Sequence, residues 1–184
     1  FCFGSPRLER DEEQITISLR KAMALLTYLA VTQRPHSRDA LATLFWPDND
    51  QRKARANLRR ALSRLKKAVG KDYLAVDRET AAVDPVSNLW VDVEHFRYKL
   101  AECQTHDHSS NEICDDCLPL LTEATTFYTD DFLAGFTLPD CPDFDEWQFF
   151  QSESLRRKSA SALERLVQGL HHQGDSDSAI PHAR

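Results

Sequence analysis

One basic segment, residues 50–70, constrains the fold and function of this chain more than any other stretch. From Arg52 to Lys67 it contains eight Lys or Arg residues and no Asp or Glu, although the 184-residue chain has a formal net charge of -6. The remaining 15 basic and 29 acidic residues carry a net charge of -14. Positive charge concentrated on one element of an acidic protein is typical of a surface that binds phosphate groups.

The same segment has the pattern of an amphipathic helix with both ends defined. Its apolar residues recur at intervals of mostly three or four and form one stripe, Asp50 can cap the N-terminus, and Gly70 can end the helix. The opposite face alternates long basic side chains with small ones, so the helix can approach a surface closely while its arginines reach phosphates or guanine edges. A solvated helix face is the alternative interpretation. The stripe consists of Ala54, Leu58, Ala61, Leu62, Leu65 and Val69, and the opposite face of Arg52, Ala56, Arg59, Arg60, Ser63 and Lys67.

Two further helices are predicted before the basic one. Residues 14–19 alternate apolar and polar side chains and predict a strand in a small antiparallel sheet. Residues 20–32 have a helical apolar stripe, and Ser37 offers an N-cap for a second helix over residues 38–46. A four-residue turn, residues 47–50, then leads into the basic helix, which is the helix-turn-helix arrangement.

A hairpin is predicted directly after the basic helix. Two short apolar runs, residues 73–77 and 81–84, enclose a three-residue turn. A helix-turn-helix followed by a hairpin is a winged helix, in which the last helix enters the major groove of DNA. Arg78 at the hairpin tip could reach a neighbouring groove, and an exposed turn arginine without that role is the alternative.

Helical periodicity dominates the second half of the chain. Asp92 is expected to cap a helix through residue 101, and residues 118–127 predict another. Asp143 begins a long helix, with Trp147 and Phe150 in its apolar stripe, and a last helix is expected after Gly174. These aromatic residues are interpreted as core rather than as a ligand site, and paired helices of this kind commonly present a surface to a protein partner.

Four segments resemble the antibiotic-regulatory-protein (SARP) type of bacterial transcriptional activator. They are Leu25–Ala30, His36–Pro47, Ala54–Leu65 and Leu89–Phe96, which occur in the family's order. The resemblance implies a winged-helix DNA-binding domain over residues 1–87 and a bacterial transcriptional activator domain over residues 88–184, all-helical, related to tetratricopeptide repeats and truncated at its C-terminus. The expected fold class is therefore α+β followed by all-α, mainly α overall. Family members usually bind double-stranded DNA as dimers and contact RNA polymerase.

We therefore expect a DNA-binding transcriptional regulator, an activator by resemblance, and not an enzyme. The alternative is a protein-interaction module whose basic helix meets an acidic partner. A further hypothesis is that the acidic second half covers the basic helix and inhibits DNA binding. The expected base-facing residues are Arg52, Arg59, Arg60, Ser63 and Lys67, those nearer the phosphates are Lys53, Arg55, Arg64 and Lys66, and Ser37, Arg38 and Arg78 complete the candidate DNA-binding set.

A cluster of cysteines and histidines between the first two helices of the second half is a candidate structural zinc site. Thiolates at C-x2-C spacing can share one metal ion, and the intervening polar segment lacks an apolar anchor. Unligated thiols on a loop are the alternative, because the spacing is not a standard one. No cofactor is otherwise expected. Four of the five following residues would ligate the zinc: Cys103, His106, His108, Cys114 and Cys117.

Several classes of protein are disfavoured by what the sequence lacks. The five glycines are scattered and form no phosphate-binding loop. The chain also contains no Gly-x-Ser-x-Gly elbow and no His-Glu-x-x-His motif, and no apolar run is long enough for a membrane span. The odd number of cysteines favours a reduced, cytoplasmic setting. The first residue, Phe1, and the unfinished helical pattern before Arg184 suggest a piece of a longer polypeptide.

Overall fold

The computed structural model describes residues 1–106 and 113–174, which form a mixed α+β fold in which helices predominate. Within these ranges the strands are short and antiparallel. The helices are α1 (Arg20–Thr32), α2 (Arg38–Phe45), α3 (Gln51–Val69), α4 (Asp92–Cys103), α5 (Cys117–Phe127) and α6 (Pro142–His172), and the strands are β1 (Glu9–Arg10), β2 (Glu13–Gln14), β3 (His36–Ser37), β4 (Leu74–Val76) and β5 (Thr80–Val83).

The basic segment forms helix α3 with the ends that the sequence predicts. The Asp50 carboxylate accepts the Lys53 N–H at 2.9 Å, and Gly70 ends the helix with a φ of 103°. A left-handed φ is accessible to glycine without steric cost, which explains its use here. The whole predicted apolar stripe is buried, and it packs against α1 and α2. The predicted helices before α3 are also confirmed, with Ser37 capping α2 through the Asp39 N–H at 3.3 Å.

The predicted hairpin is present and belongs to a three-stranded sheet. Strand β5 lies between β4 and β3. Strand β3 was not predicted, because two residues are too few to show an alternating pattern. Asp77 shapes the hairpin turn by accepting the N–H groups of Glu79 and Thr80 at 2.7 and 2.6 Å. These hydrogen bonds hold the pKa of the Asp77 carboxyl below its usual range.

The predicted strand over residues 14–19 is wrong for most of its length. Strands β1 and β2 pair only over residues 9–10 and 13–14, and residues 15–19 are not in a strand. Ile17 and Leu19 instead pack against the core as the chain enters α1. The alternation therefore reports one-sided burial of an irregular segment rather than pairing in a sheet.

The second half is helical, as predicted, but Asp92 has a different role from the expected cap. It is the first residue of α4 and is buried. Its carboxylate accepts the N–H groups of Cys2 and Phe3, each at 2.8 Å. The start of the chain is thereby fixed to the second half, and Phe3 also forms an isolated bridge with Phe132.

An aromatic cluster joins the two halves of the chain. Tyr28 of α1 lies 4.8 Å from Trp147 of α6, and Phe45 of α2 lies 5.4 Å from Phe144, measured between ring centroids. One core cluster of buried residues runs from α1 to α6 across residue 87. The division into domains at residue 87 stays a prediction.

Helix α6 departs from its predicted apolar stripe at one position. Trp147 packs against the core, but Phe150 is 58% exposed and lies beside the exposed Phe149. The predicted helix after Gly174 falls on residues 175–184, which lie outside the described residues.

Replacing Asp92 with alanine should lower the free energy of unfolding by about 2–4 kcal/mol, because the buried N–H groups of Cys2 and Phe3 lose their acceptor. Urea denaturation followed by circular dichroism measures the change. Asp48→Ala, which removes an exposed carboxylate from the turn before α3, is the matched control and should change the free energy by less than about 0.5 kcal/mol. Equal effects of the two substitutions would contradict this role of Asp92.

Candidate nucleic-acid interface

The outer face of α3 is open to solvent. Seven of its eight basic side chains are exposed, and Lys66 is half-buried. Among the described elements, α3 packs chiefly against α1, α2 and the 3-10 turn at Lys71–Tyr73, whereas the second half packs against α1 and α2. In the part of the chain that the structure describes, the acidic second half does not cover the basic face of α3, because seven of its eight basic side chains are exposed.

A groove of about 620 Å³ runs between the N-terminal half of α3, the start of α2 and the tip of the β4–β5 hairpin. Five arginines line it, and all five belong to the sequence-predicted DNA-binding set. Two carboxylates, those of Asp39 and Glu79, also line the groove, so its formal charge is +3. The five arginines are Arg38, Arg52, Arg55, Arg59 and Arg78.

Arg55 and Asp39 form a two-point ion pair inside this groove. The Arg55 Nε and Nη2 atoms donate to the two carboxylate oxygens of Asp39. These hydrogen bonds stabilise the carboxylate form of Asp39 and hold the pKa of its carboxyl below its usual range. A guanidinium held by one edge has a fixed orientation and can present its other N–H groups to an acceptor.

Arg38 ties the hairpin tip to α2. Its Nη1 donates to the Asp77 carbonyl at 2.7 Å, and its backbone N–H donates to the Glu79 carbonyl at 2.8 Å. Arg78, between these two residues, is exposed at the tip. The position of the tip relative to α3 is therefore set by hydrogen bonds to the start of α2.

A second, more open groove of about 560 Å³ follows the other side of α3. It is lined by Lys53 and Arg60 of the predicted set, and it shares Arg52 and Ala56 with the first groove. The small Ala56 side chain lets a partner approach the helix axis between the two grooves. Sequence reasoning did not include Asn49 and Asn57, which also line this groove and can donate and accept hydrogen bonds.

Five predicted residues line neither groove. Ser63, Arg64, Lys66 and Lys67 lie toward the C-terminal end of α3. Ser37 already accepts a hydrogen bond as the cap of α2. The predicted set thus divides into a group around the first half of α3 and a basic extension along its second half.

Three of the five candidate zinc ligands come together. The Nδ1 atom of His106 lies 3.2 Å from the Sγ atoms of both Cys114 and Cys117, and these two sulfurs are 3.6 Å apart. Ligands of a tetrahedral zinc ion are separated by about 3.5–3.8 Å when the bonds have their usual lengths. The sulfur-to-sulfur distance lies in this range and the two nitrogen-to-sulfur distances lie somewhat below it, so the group of His106, Cys114 and Cys117 could hold a metal ion after a small adjustment.

The other two candidates differ in placement. Cys103 does not join the group: its sulfur is buried and lies 3.9 Å from the Cys117 carbonyl oxygen. His108 lies outside the described residues. Burial raises the pKa of the Cys117 thiol to about 12, so a metal ion that binds there must displace its proton.

None of the five cysteines, all within the described ranges, forms a disulfide. No helix of the described chain combines the length and apolar character that crossing a membrane requires. Neither the known protein-family models nor the curated proteins compared with this chain give a match.

Proposed function

We propose that this chain is a transcriptional regulator that binds double-stranded promoter DNA, with residues 1–87 acting as a winged helix. The observation that carries the proposal is the outer face of α3: seven of the eight Lys or Arg side chains of this helix are exposed, and the helix contains no acidic residue. Neutralising phosphates with such residues releases counterions and supplies much of the affinity for DNA.

The order of the elements supports a specific mode of docking. In helix-turn-helix proteins the second helix of the pair lies in the major groove, and the preceding helix crosses the phosphate backbone. By this analogy α3 enters the major groove with Arg52, Arg59 and Arg60 directed at base edges and phosphates. Arg38 and Arg78, at the start of α2 and the hairpin tip, contact the flanking backbone.

The resemblance to SARP-type activators adds the remaining parts of the proposal. The helical second half is related to tetratricopeptide repeats and contacts RNA polymerase, and two copies bind DNA together in the cytoplasm. The competing function is a protein-interaction module in which the basic face of α3 meets an acidic protein. Retention by duplex DNA against retention by an acidic protein of similar charge distinguishes the two.

Arg59→Ala and Arg60→Ala should each weaken binding to a duplex selected by the intact chain by about tenfold and make the binding less dependent on salt. Fluorescence anisotropy at several salt concentrations measures both quantities. Arg156→Ala removes the same charge from α6, where Arg156 is paired with Asp131 and Glu153, and should leave binding unchanged. Unchanged binding in both α3 variants would contradict the assignment of α3 as the DNA-binding helix.

Asp39→Asn should tighten binding to any duplex at low salt but reduce the preference for the selected sequence. The substitution removes a negative charge from the groove and frees Arg55 from its fixed orientation. Glu79→Gln is the matched control, because the Glu79 side chain lines the same groove and is not the hydrogen-bond partner of Arg55. The readout is the ratio of the affinities for selected and scrambled duplexes. An equal decrease of this ratio in Asp39→Asn and Glu79→Gln would refute a positioning role for Asp39.

We also propose that His106, Cys114 and Cys117 bind a structural zinc ion together with a fourth of the five sequence-predicted ligands. Two thiolates and one imidazole are a donor set that zinc prefers. Cys117 is fully buried in a core cluster with Leu118, Leu121 and Leu166, so the ion would fasten the α4–α5 connection to that core. Its role is to hold structure, because a site with four protein ligands has no open position for substrate.

Chelator treatment should lower the melting temperature, and elemental analysis should give one zinc per chain. Cys114→Ser should abolish zinc binding, because it removes one of the grouped ligands. Cys103→Ser should retain the zinc, since its sulfur lies outside the group. A metal-free sample with an unchanged melting temperature would refute the zinc site. Loss of zinc in the Cys103 variant would show that Cys103 is one of the ligands.

A further inference from the structure

A second concentration of positive charge lies in the otherwise acidic second half. Residues 92–106 and 113–174 contain 14 Asp or Glu residues and only six Lys or Arg. Four of these six line a single groove of about 320 Å³ between α4 and α6. They are Arg97, Arg157, Lys158 and Arg165.

The groove is built from one face of each helix. Arg97 and Ala101 lie four residues apart on α4 and Gln104 is the residue that ends this helix, while Arg157, Ser161 and Arg165 recur every four residues along α6. Small side chains separate the long basic ones, so a ligand can enter the groove between α4 and α6. The volume of this groove is at the lower end of the range found for sites that bind small molecules.

One of the four cations is already committed to the protein. The Nη1 of Arg97 donates to the Val31 carbonyl and the Glu94 carboxylate, and its Nη2 donates to the Gln151 side chain. Arg97 therefore forms a fixed wall of the groove, where it joins α4 to α1 and α6.

The other three basic side chains of the groove differ from Arg97 in their contacts. Among the described residues, Arg157, Lys158 and Arg165 have no hydrogen bond or ion pair to a carboxylate. The Nε of Arg165 is moreover shielded from solvent without a hydrogen-bond acceptor. A buried N–H of a charged group is costly to leave unmatched, so it marks a place where an acceptor is missing.

A neighbouring arginine shows the contrast. Arg156 precedes Arg157 by one residue and points to a different side of α6, where it pairs with Asp131 and Glu153. Within residues 1–106 and 113–174, carboxylate partners are thus present for an arginine outside the groove and absent for the two unpaired arginines inside it. An anionic ligand is the chemistry that would satisfy both.

We propose that the groove between α4 and α6 binds the phosphate group of a small phosphorylated compound. Arginine presents paired N–H donors that match phosphate oxygens, and three unpaired cations suit a group that carries more than one negative charge. Ser161 and Gln104 add polar groups on either side. This site is independent of the DNA-binding face of α3, and it goes beyond the function proposed above.

Calorimetric titration of the whole chain with inorganic pyrophosphate tests the proposal. Arg157→Gln and Arg165→Gln should each weaken binding by about tenfold or more, in line with loss of a hydrogen bond between charged groups. Arg156→Gln is the matched control and should bind like the unaltered chain. Because the grooves beside α3 also attract anions, Arg59→Gln is titrated in parallel, and it should retain the binding that the two groove variants lose.

Two results would overturn the proposal. If Arg59→Gln loses pyrophosphate binding while the Arg157 and Arg165 variants keep it, the anion binds beside α3 instead. Weaker duplex DNA binding in the Arg157 and Arg165 variants, without any effect on pyrophosphate, would make the groove part of the DNA interface. Neither result depends on whether α3 itself binds DNA, which the α3 variants decide separately. Melting temperatures of all variants identify any that fail to fold.

Discussion

The packing of Phe45 at the end of α2 joins the two halves of this chain. Its ring is fully buried and contacts Tyr28 of α1 and Phe144 of α6. Its backbone carbonyl accepts hydrogen bonds from Lys21 Nζ at 2.7 Å and from the Cys141 thiol at 3.2 Å. Burial of one such side chain contributes about 1.5–3 kcal/mol. Residues 1–87 in isolation would expose this cluster to water, so DNA binding is best measured on the whole chain.

The same arrangement decides which surface is free to bind. Helix α2 contacts α3 as well as α6, and the acidic second half is held by contacts that leave the outer face of α3 open. With a net charge of -14 outside its eight basic residues, the rest of the chain repels a polyanion. In the proposed function, this charge distribution would steer duplex DNA toward α3 by attraction and away from most other surfaces by repulsion.

Local features of the sequence predicted the helices of the first half and the hairpin well. The apolar stripe of α3, its Asp50 cap and its Gly70 end depend on residues within one helix, and such patterns are visible without tertiary information. The same patterns selected the five arginines that line the first groove. Residues 14–19 show the limit of this approach, since alternating burial does not require a strand partner.

Contacts between distant residues could not be predicted. Asp92 binds backbone groups 89 and 90 positions away, and Asp39 meets Arg55 from another helix at a separation of 16. Cys103 has the right chemistry for zinc, yet its sulfur at the end of α4 lies outside the ligand group. In each case the outcome depends on how helices pack, which a single sequence pattern does not encode.

Lysine acylation of the intact chain with and without duplex DNA shows whether α3 contacts DNA, because the lysines report on separate surfaces without any substitution. Lys53 and Lys67 lie on the outer part of α3, whereas Lys99 and Lys158 lie on α4 and α6. If α3 binds DNA as proposed, DNA protects Lys53 and Lys67 from acylation and leaves the reactivity of Lys99 and Lys158 unchanged. Undiminished reactivity of the two α3 lysines at saturating DNA would contradict it.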